Sequence, residues 1–211
     1  WARAGGCTMC GYVAESVEGG SVAHEDLMTQ IDACLDHERE AADEPAALIK
    51  IYTSGSFLDE REVPAETREA IASEFADRDR IVVESLPDFV DREKIADFAE
   101  RGIATDVAVG LETATDRVRH DCVNKYFEFA DFEDACAEAA AADAEFDADV
   151  GIKAYLLMKP PFLAEPEAAA DMVDSIRRCA DVDGCHTVSM NPCNVQRYTM
   201  VDELFFEGGY R

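Results

Sequence analysis

The chain has 211 residues, 48% of them hydrophobic, which is enough for one sizeable core and too few for two typical domains. No run approaches the ~18 uninterrupted apolar residues that a membrane span requires, and no basic-then-apolar leader opens the sequence, so a cytoplasmic protein with no membrane partner is expected. The net charge of −27 is spread through every helix-like segment and disfavours nucleic acid at low salt; at molar salt, where the Debye length falls to about 3 Å, that objection weakens and the acidity suits a salt-loving host.

In chain order, residues 1–12 read as a loop carrying Cys7 and Cys10, with a strand expected before it, and an acidic helix follows over 24–40. The apolar run 48–53 is the first of a series continued at 81–85, 105–111, 150–157 and 186–190. Each is rich in Val, Ile, Leu, Tyr or Ala and alternates only weakly, the pattern of parallel strands covered on both faces. Between them, Pro64 fits a first turn, and Asp91 caps a helix running to about residue 101 with Gly102 just after it. Residues 135–144 form an Ala-rich helix, and Pro166 opens a segment through 179. Strand and helix in steady alternation predict an α/β fold with right-handed crossovers. Leu204, Phe205 and Phe206 call for a partner near the other end, so residues 1–211 are read as one domain lacking an N-terminal strand and a C-terminal extension.

Parallel sheets of this kind bind ligands at the carboxyl ends of their strands, and polar clusters fall just after each run. They are Cys7 and Cys10, then Ser54, Gly55 and Ser56, then Glu84 to Asp88, then Gly110 to Thr113, then Lys159 to Leu163, and finally Asn191 to Val195. The C-x-x-C lets two thiolates reach one metal or one cluster edge, and by spacing alone it also serves zinc sites and redox pairs. Gly55 permits close backbone approach, with an ordinary strand-to-loop turn as the plainer reading. Glu84 and Glu112 end apolar strands, where a carboxylate needs a cation or a hydroxyl to meet it. A ligand's ammonium or ribose would serve, and so would a neighbouring Arg or Lys. Among the scarce basic residues, Arg3, Lys125 and Lys159 are the candidates for phosphate or carboxylate contacts, whereas a local ion pair is favoured for Lys153. Cys185, His186 and Cys193 could bind a second metal, with burial the simpler account. Cys34, Cys122, Cys136 and Cys179 read as core rather than as disulfide partners.

Taken together, the C-x-x-C loop, the Ser54-Gly55-Ser56 turn, Glu84-Ser85-Leu86-Pro87-Asp88, Gly110-Leu111-Glu112 and Asn191-Pro192 resemble the elongator-like branch of the radical S-adenosylmethionine (SAM) superfamily. Residues 1–12, 52–59, 153–163 and 191–196 are more closely similar to the archaeal radical SAM proteins of archaeosine biosynthesis. The resemblance implies a partial (βα)6 barrel without its first strand and a [4Fe-4S] cluster on three cysteines. Cys7 and Cys10 would be two of them, and the third would lie upstream. It implies SAM bound through Ser54, Gly55, Ser56, Glu84, Glu112, Asn191 and Tyr12, with Arg3, Lys125 and Lys159 toward the substrate. The implied reaction is a C–N bond cleavage, begun by hydrogen abstraction, that turns a lysine-modified 7-deazaguanine in the tRNA D-loop into archaeosine. The implied partners are the tRNA, a transglycosylase-like enzyme that attaches the lysine, and a reductant such as ferredoxin or flavodoxin. A different substrate within the same branch, or a zinc-stabilised α/β binding module, are the competing readings.

Overall fold

A computed structural model describes residues 6–14 and 22–208. Its sheet holds β1 (Leu48–Ile51), β2 (Arg80–Ser85), β3 (Ala104–Glu112), β4 (Val150–Leu157) and β5 (Cys185–Asn191), in that spatial order, with every neighbouring pair parallel. Spatial order equal to chain order means that each crossover steps one strand in the same direction, the topology of a partial βα barrel.

Helix α1 (His24–Ala41) precedes β1, and α2 (Ala65–Glu74), α3 (Arg92–Ala99), α5 (Phe129–Phe146) and α6 (Glu165–Ala180) lie between successive strands. Ile81 and Val83 of β2, Val107, Val109 and Leu111 of β3, and Ile152, Ala154 and Leu156 of β4 join one buried cluster with Ile71, Ile95, Phe98 and Phe132 of the helices. The alternate strand positions, including Glu84, Asp106, Lys153 and Tyr155, therefore face the other way, into the lumen of the barrel. Here the structure departs from the expectation of strands apolar on both faces: alternation is masked because small residues, Ala108 and Gly110, share the inner face with the polar ones.

Several local signals act as the sequence suggests. Asp91 caps α3 by accepting from the Glu93 N–H at 2.8 Å, and Gly102 follows at φ 74°. Pro64 stands immediately before α2 as its N-cap rather than inside the first turn, and Pro166 sits in the first turn of α6. β1 stops at Ile51, so Tyr52 and Thr53 already belong to the departing loop. After β3, the short α4 (Asp116–Val118) runs into a π-helical turn, Arg119–Val123, which ends at Asn124 in the left-handed region. Near the carboxyl end, α7 (Met200–Phe206) is capped by Thr199, buries Val201 and leaves Phe206 exposed. Among the described residues, no helix is long and apolar enough to cross a membrane.

Candidate active site

The cysteine loop is fastened at the carboxyl end of the sheet from two sides. Thr8 donates its N–H to Val123 O at 3.0 Å and its hydroxyl to Cys122 O at 2.6 Å, and the Asn124 side-chain amide reaches Gly6 O at 2.7 Å. From the other side, Gly11 N–H donates to the Gln196 side chain at 2.7 Å, and Val201 N–H donates to Thr8 O at 3.2 Å. Within the loop Cys10 N–H turns back onto Cys7 O at 3.2 Å, closing a tight turn between the two cysteines. Burial pushes the Cys7 thiol up to about 12, against the pull of the nearby Lys125 ammonium.

Lys125 links this loop to the end of β3. Its Nζ lies 2.9 Å from Glu112 Oε1 and donates to Gly110 O, and Glu112 takes φ 65° where the β3–β4 register shifts. A non-glycine residue held there by a buried partner is the kind of strain that clusters at functional sites. Arg119 holds the surrounding loop. Fully buried, it donates to the carbonyls of Leu111 at 3.2 Å, Phe127 at 3.0 Å and Thr113 at 2.7 Å, and pairs with Asp116 at 2.6 Å. Three carbonyls brought to one guanidinium fix the course of residues 111–127, hence of Val123 and Asn124 beneath the cysteines.

Glu84, on β2 beside Glu112 and Lys125, has a raised pKa because burial outweighs the Thr53 N–H, which reaches its carboxylate only at 3.4 Å. The Thr53 hydroxyl beside it is buried with no hydrogen-bond partner. A half-satisfied carboxylate and an orphaned hydroxyl at a strand end are what a polar ligand would complete. Of the following turn, Ser54 is exposed, while Ser56 is buried, its hydroxyl accepting from Leu86 N–H at 3.0 Å and its own N–H donating to Glu62 at 2.9 Å. The Glu62 carboxylate lies against Gly55, so the glycine makes room for a residue of this chain. Between these loops a cleft of ≈ 640 Å³ is lined by Asp59, Glu62, Phe89, Asn124, Lys125 and Tyr126.

Asn191 ends β5, its carbonyl accepting from Met158 N–H at 2.8 Å, and Tyr12 is exposed beside the cysteine loop. Lys159 pairs with Glu165 at 2.6 Å. Arg3 lies outside the described residues. Among the described residues no group of three or more His, Cys, Asp or Glu is arranged to hold a metal, which applies both to Cys7 with Cys10 and to Cys185, His186 and Cys193. Cys185 instead accepts from the thiols of Cys136 and Cys179, which lower its pKa. Cys34, expected in the core, is exposed on α1. Sequence reasoning missed Arg119 and Glu62. It also favoured an ion pair for Lys153, which makes no hydrogen bond or ion pair among the described residues. The period-2 pattern of β4 was the available signal, because it turns Lys153 away from the Ile152 and Ala154 face.

The cysteine pair, the carboxylates and the orphaned hydroxyl would suit a thiolate-held cluster beside an amino-acid-bearing nucleoside, Cys7 and Cys10 supplying two of its donors. No protein-family profile matches the chain. It is 39% identical over 217 residues to archaeosine synthase subunit beta of Methanosarcina acetivorans, covering 100% of this chain and 59% of that protein. The chain spans about three fifths of the length of the curated relatives it matches (59%, 57% and 61%). Among solved structures, Methanocaldococcus infernus Elp3 with an N-terminal deletion superposes with a TM-score of 0.63 at 13% identity, covering 91% of this chain and 49% of that one. A queuine lyase from Clostridium spiroforme bound to SAM and queuine superposes with a TM-score of 0.55 at 18% identity, covering 95% and 76%.

Proposed function

We propose that the chain is a radical SAM protein of the kind named archaeosine synthase subunit beta, and that it carries the C–N lyase step of archaeosine formation in tRNA. Cys7 and Cys10 would be two of the thiolate ligands of a [4Fe-4S] cluster. When bound, the cluster and SAM supply one-electron cleavage of SAM and the hydrogen abstraction that starts the reaction.

This chain's residues do the binding. Glu84, with Thr53 and Ser54 beside it, offers acceptors and a free hydroxyl to the ammonium or ribose of SAM. Glu112 serves the same end while held by Lys125, and Asn191 and Tyr12 border the adenosine. Gly55 and Ser56 shape the turn that presents Ser54. The cleft between the loops after β1, β2 and β3 admits the modified base, with Lys125 on its wall; Lys159 and Arg3 act toward the tRNA. The substrate is tRNA already carrying the lysine-modified deazaguanine, delivered by a transglycosylase-like transferase, and ferredoxin or flavodoxin supplies the electron.

The observation that carries this reading is the convergence of the C-x-x-C loop, Glu84, Glu112 and Lys125 at one end of the sheet, in a chain 39% identical to an archaeosine synthase beta subunit. The test is incubation of the reconstituted protein, at the full length of its relatives, with SAM, dithionite and the lysine-modified tRNA, followed by nucleoside mass spectrometry. The amidine nucleoside is expected. Unchanged tRNA alongside active SAM cleavage would move the substrate assignment elsewhere in the branch.

A further inference from the structure

The lumen of the sheet is divided by charge. Its β2–β3 half carries Glu84, Asp106 and Glu112, whereas β4 and β5 contain no Asp or Glu in a chain with 46 of them. On the β4–β5 half stands Lys153. Its neighbours Ile152 and Ala154 pack in the helix-covered core, so its side chain faces the lumen, partly buried. Opposite it in the β4–β5 register is Thr187, and two residues on along the same face come Tyr155 and, opposite it, Ser189. Lys153 shares a row with Ala108 of β3 and Glu84 of β2. Two strand spacings, roughly 10 Å, separate the backbones of Lys153 and Glu84. Arg80 pairs with Asp106 and Lys125 with Glu112, while Lys153 makes no hydrogen bond or ion pair among the described residues. An inward-facing ammonium left unpaired, bordered by three hydroxyl-bearing residues, is a poor structural element in so acidic a protein and a good receptor for an anion.

We propose that Lys153, with Thr187, Tyr155 and Ser189 beside it, is a carboxylate-binding site in the lumen. It takes the carboxylate of an amino acid whose ammonium faces the acidic β2–β3 half. A zwitterion laid across the lumen matches both halves. This rests on the proposed function, in which two ligands carry such a group: SAM in its methionyl end and the modified base in its lysyl substituent.

The arms of the test separate these sources. Anaerobically reconstituted protein is titrated with SAM and with decarboxylated SAM, and separately with tRNA bearing the lysine-modified base and tRNA in which 1,5-diaminopentane replaces the lysine. Wild type is expected to prefer the carboxylate-bearing member of one pair by about 10- to 100-fold, the size of a charge-assisted hydrogen bond. That pair identifies the source. Lys153→Gln is expected to abolish the preference by weakening only the carboxylate-bearing ligand, and Lys153→Arg to restore part of it. If Lys153→Gln keeps the full preference for either pair, or wild type shows none, the carboxylate site is overturned while the proposed function stands. Wild type that binds neither SAM nor tRNA overturns both. Because Lys153→Arg keeps charge and bulk, misfolding of Lys153→Gln alone cannot account for lost discrimination that Lys153→Arg restores.

Discussion

Lys125 Nζ lies 2.9 Å from Glu112 Oε1, with side chains only 7% and 13% exposed, at the point where β3 leaves the sheet with Glu112 in the left-handed region. Breaking a buried pair by removing one partner costs about 3–5 kcal/mol, because the survivor is left charged and unpaired. Lys125→Met and Glu112→Gln should each lower the free energy of unfolding by about that much in urea denaturation. The double variant should recover a large part of the loss, which a double-mutant cycle reads directly.

Glu84 should behave differently, since it has no direct cationic partner. Glu84→Gln should leave the unliganded protein as stable as wild type or slightly more so, while SAM affinity falls about 10- to 100-fold, the loss expected for a hydrogen bond to a charged group. Burial raises the Glu84 pKa, so the folded state favours the neutral carboxyl. Its contribution to the stability of the free protein is present below the unfolded pKa and is lost as pH rises through the folded one. SAM binding, which needs the carboxylate, should therefore weaken as pH falls through that raised value. Isothermal titration across pH should show this limb in wild type and not in Glu84→Gln.

Arg119 is the residue whose loss should loosen the site without touching a ligand. Arg119→Met strands three carbonyls and Asp116, and a cost of about 3–5 kcal/mol is expected. Limited proteolysis should find new cleavage within residues 111–127, and a loaded cluster should show an altered reduction potential as the support under Cys7 shifts.

The surface charge of −27 makes a further prediction. Self-repulsion across the surface is screened as the Debye length contracts from about 10 Å at 0.1 M salt to about 3 Å at 1 M. The melting temperature should rise by several degrees over that range in potassium chloride, and a flat profile would remove the case for a salt-loving host.

The strands were legible because short Val- and Ile-rich runs separated by capped helices leave little choice of topology, and Asp91 with Gly102 marks α3 to within two residues. The polar strand ends were legible for the same reason: Glu84 and Glu112 interrupt apolar runs. Arg119 was not, because its partners are backbone carbonyls, which leave no trace in side-chain pattern, and the π turn that carries it has no sequence signature here. Lys125, read as a candidate substrate contact, pairs with Glu112, whereas Lys153, for which an ion pair was favoured, has none among the described residues. Lys125 follows the π turn and meets Glu112 beyond the bulge after Gly110, while Lys153 lies mid-strand in β4, whose own strand and β5 carry no acids. Gly55 was read as room for a ligand, whereas the structure fills that room with Glu62, eight residues from Ser54 and invisible to any short motif.

The central claim, that this sheet houses radical SAM chemistry, is tested most directly by anaerobic cluster reconstitution of the protein at the full length of its relatives, followed by dithionite and SAM and chromatography for 5′-deoxyadenosine. A brown protein with broad absorbance near ~400 nm that releases 5′-deoxyadenosine, and a Cys7→Ala, Cys10→Ala variant that does neither, is the predicted result. A colourless protein that takes up zinc in place of iron and leaves SAM intact would contradict it.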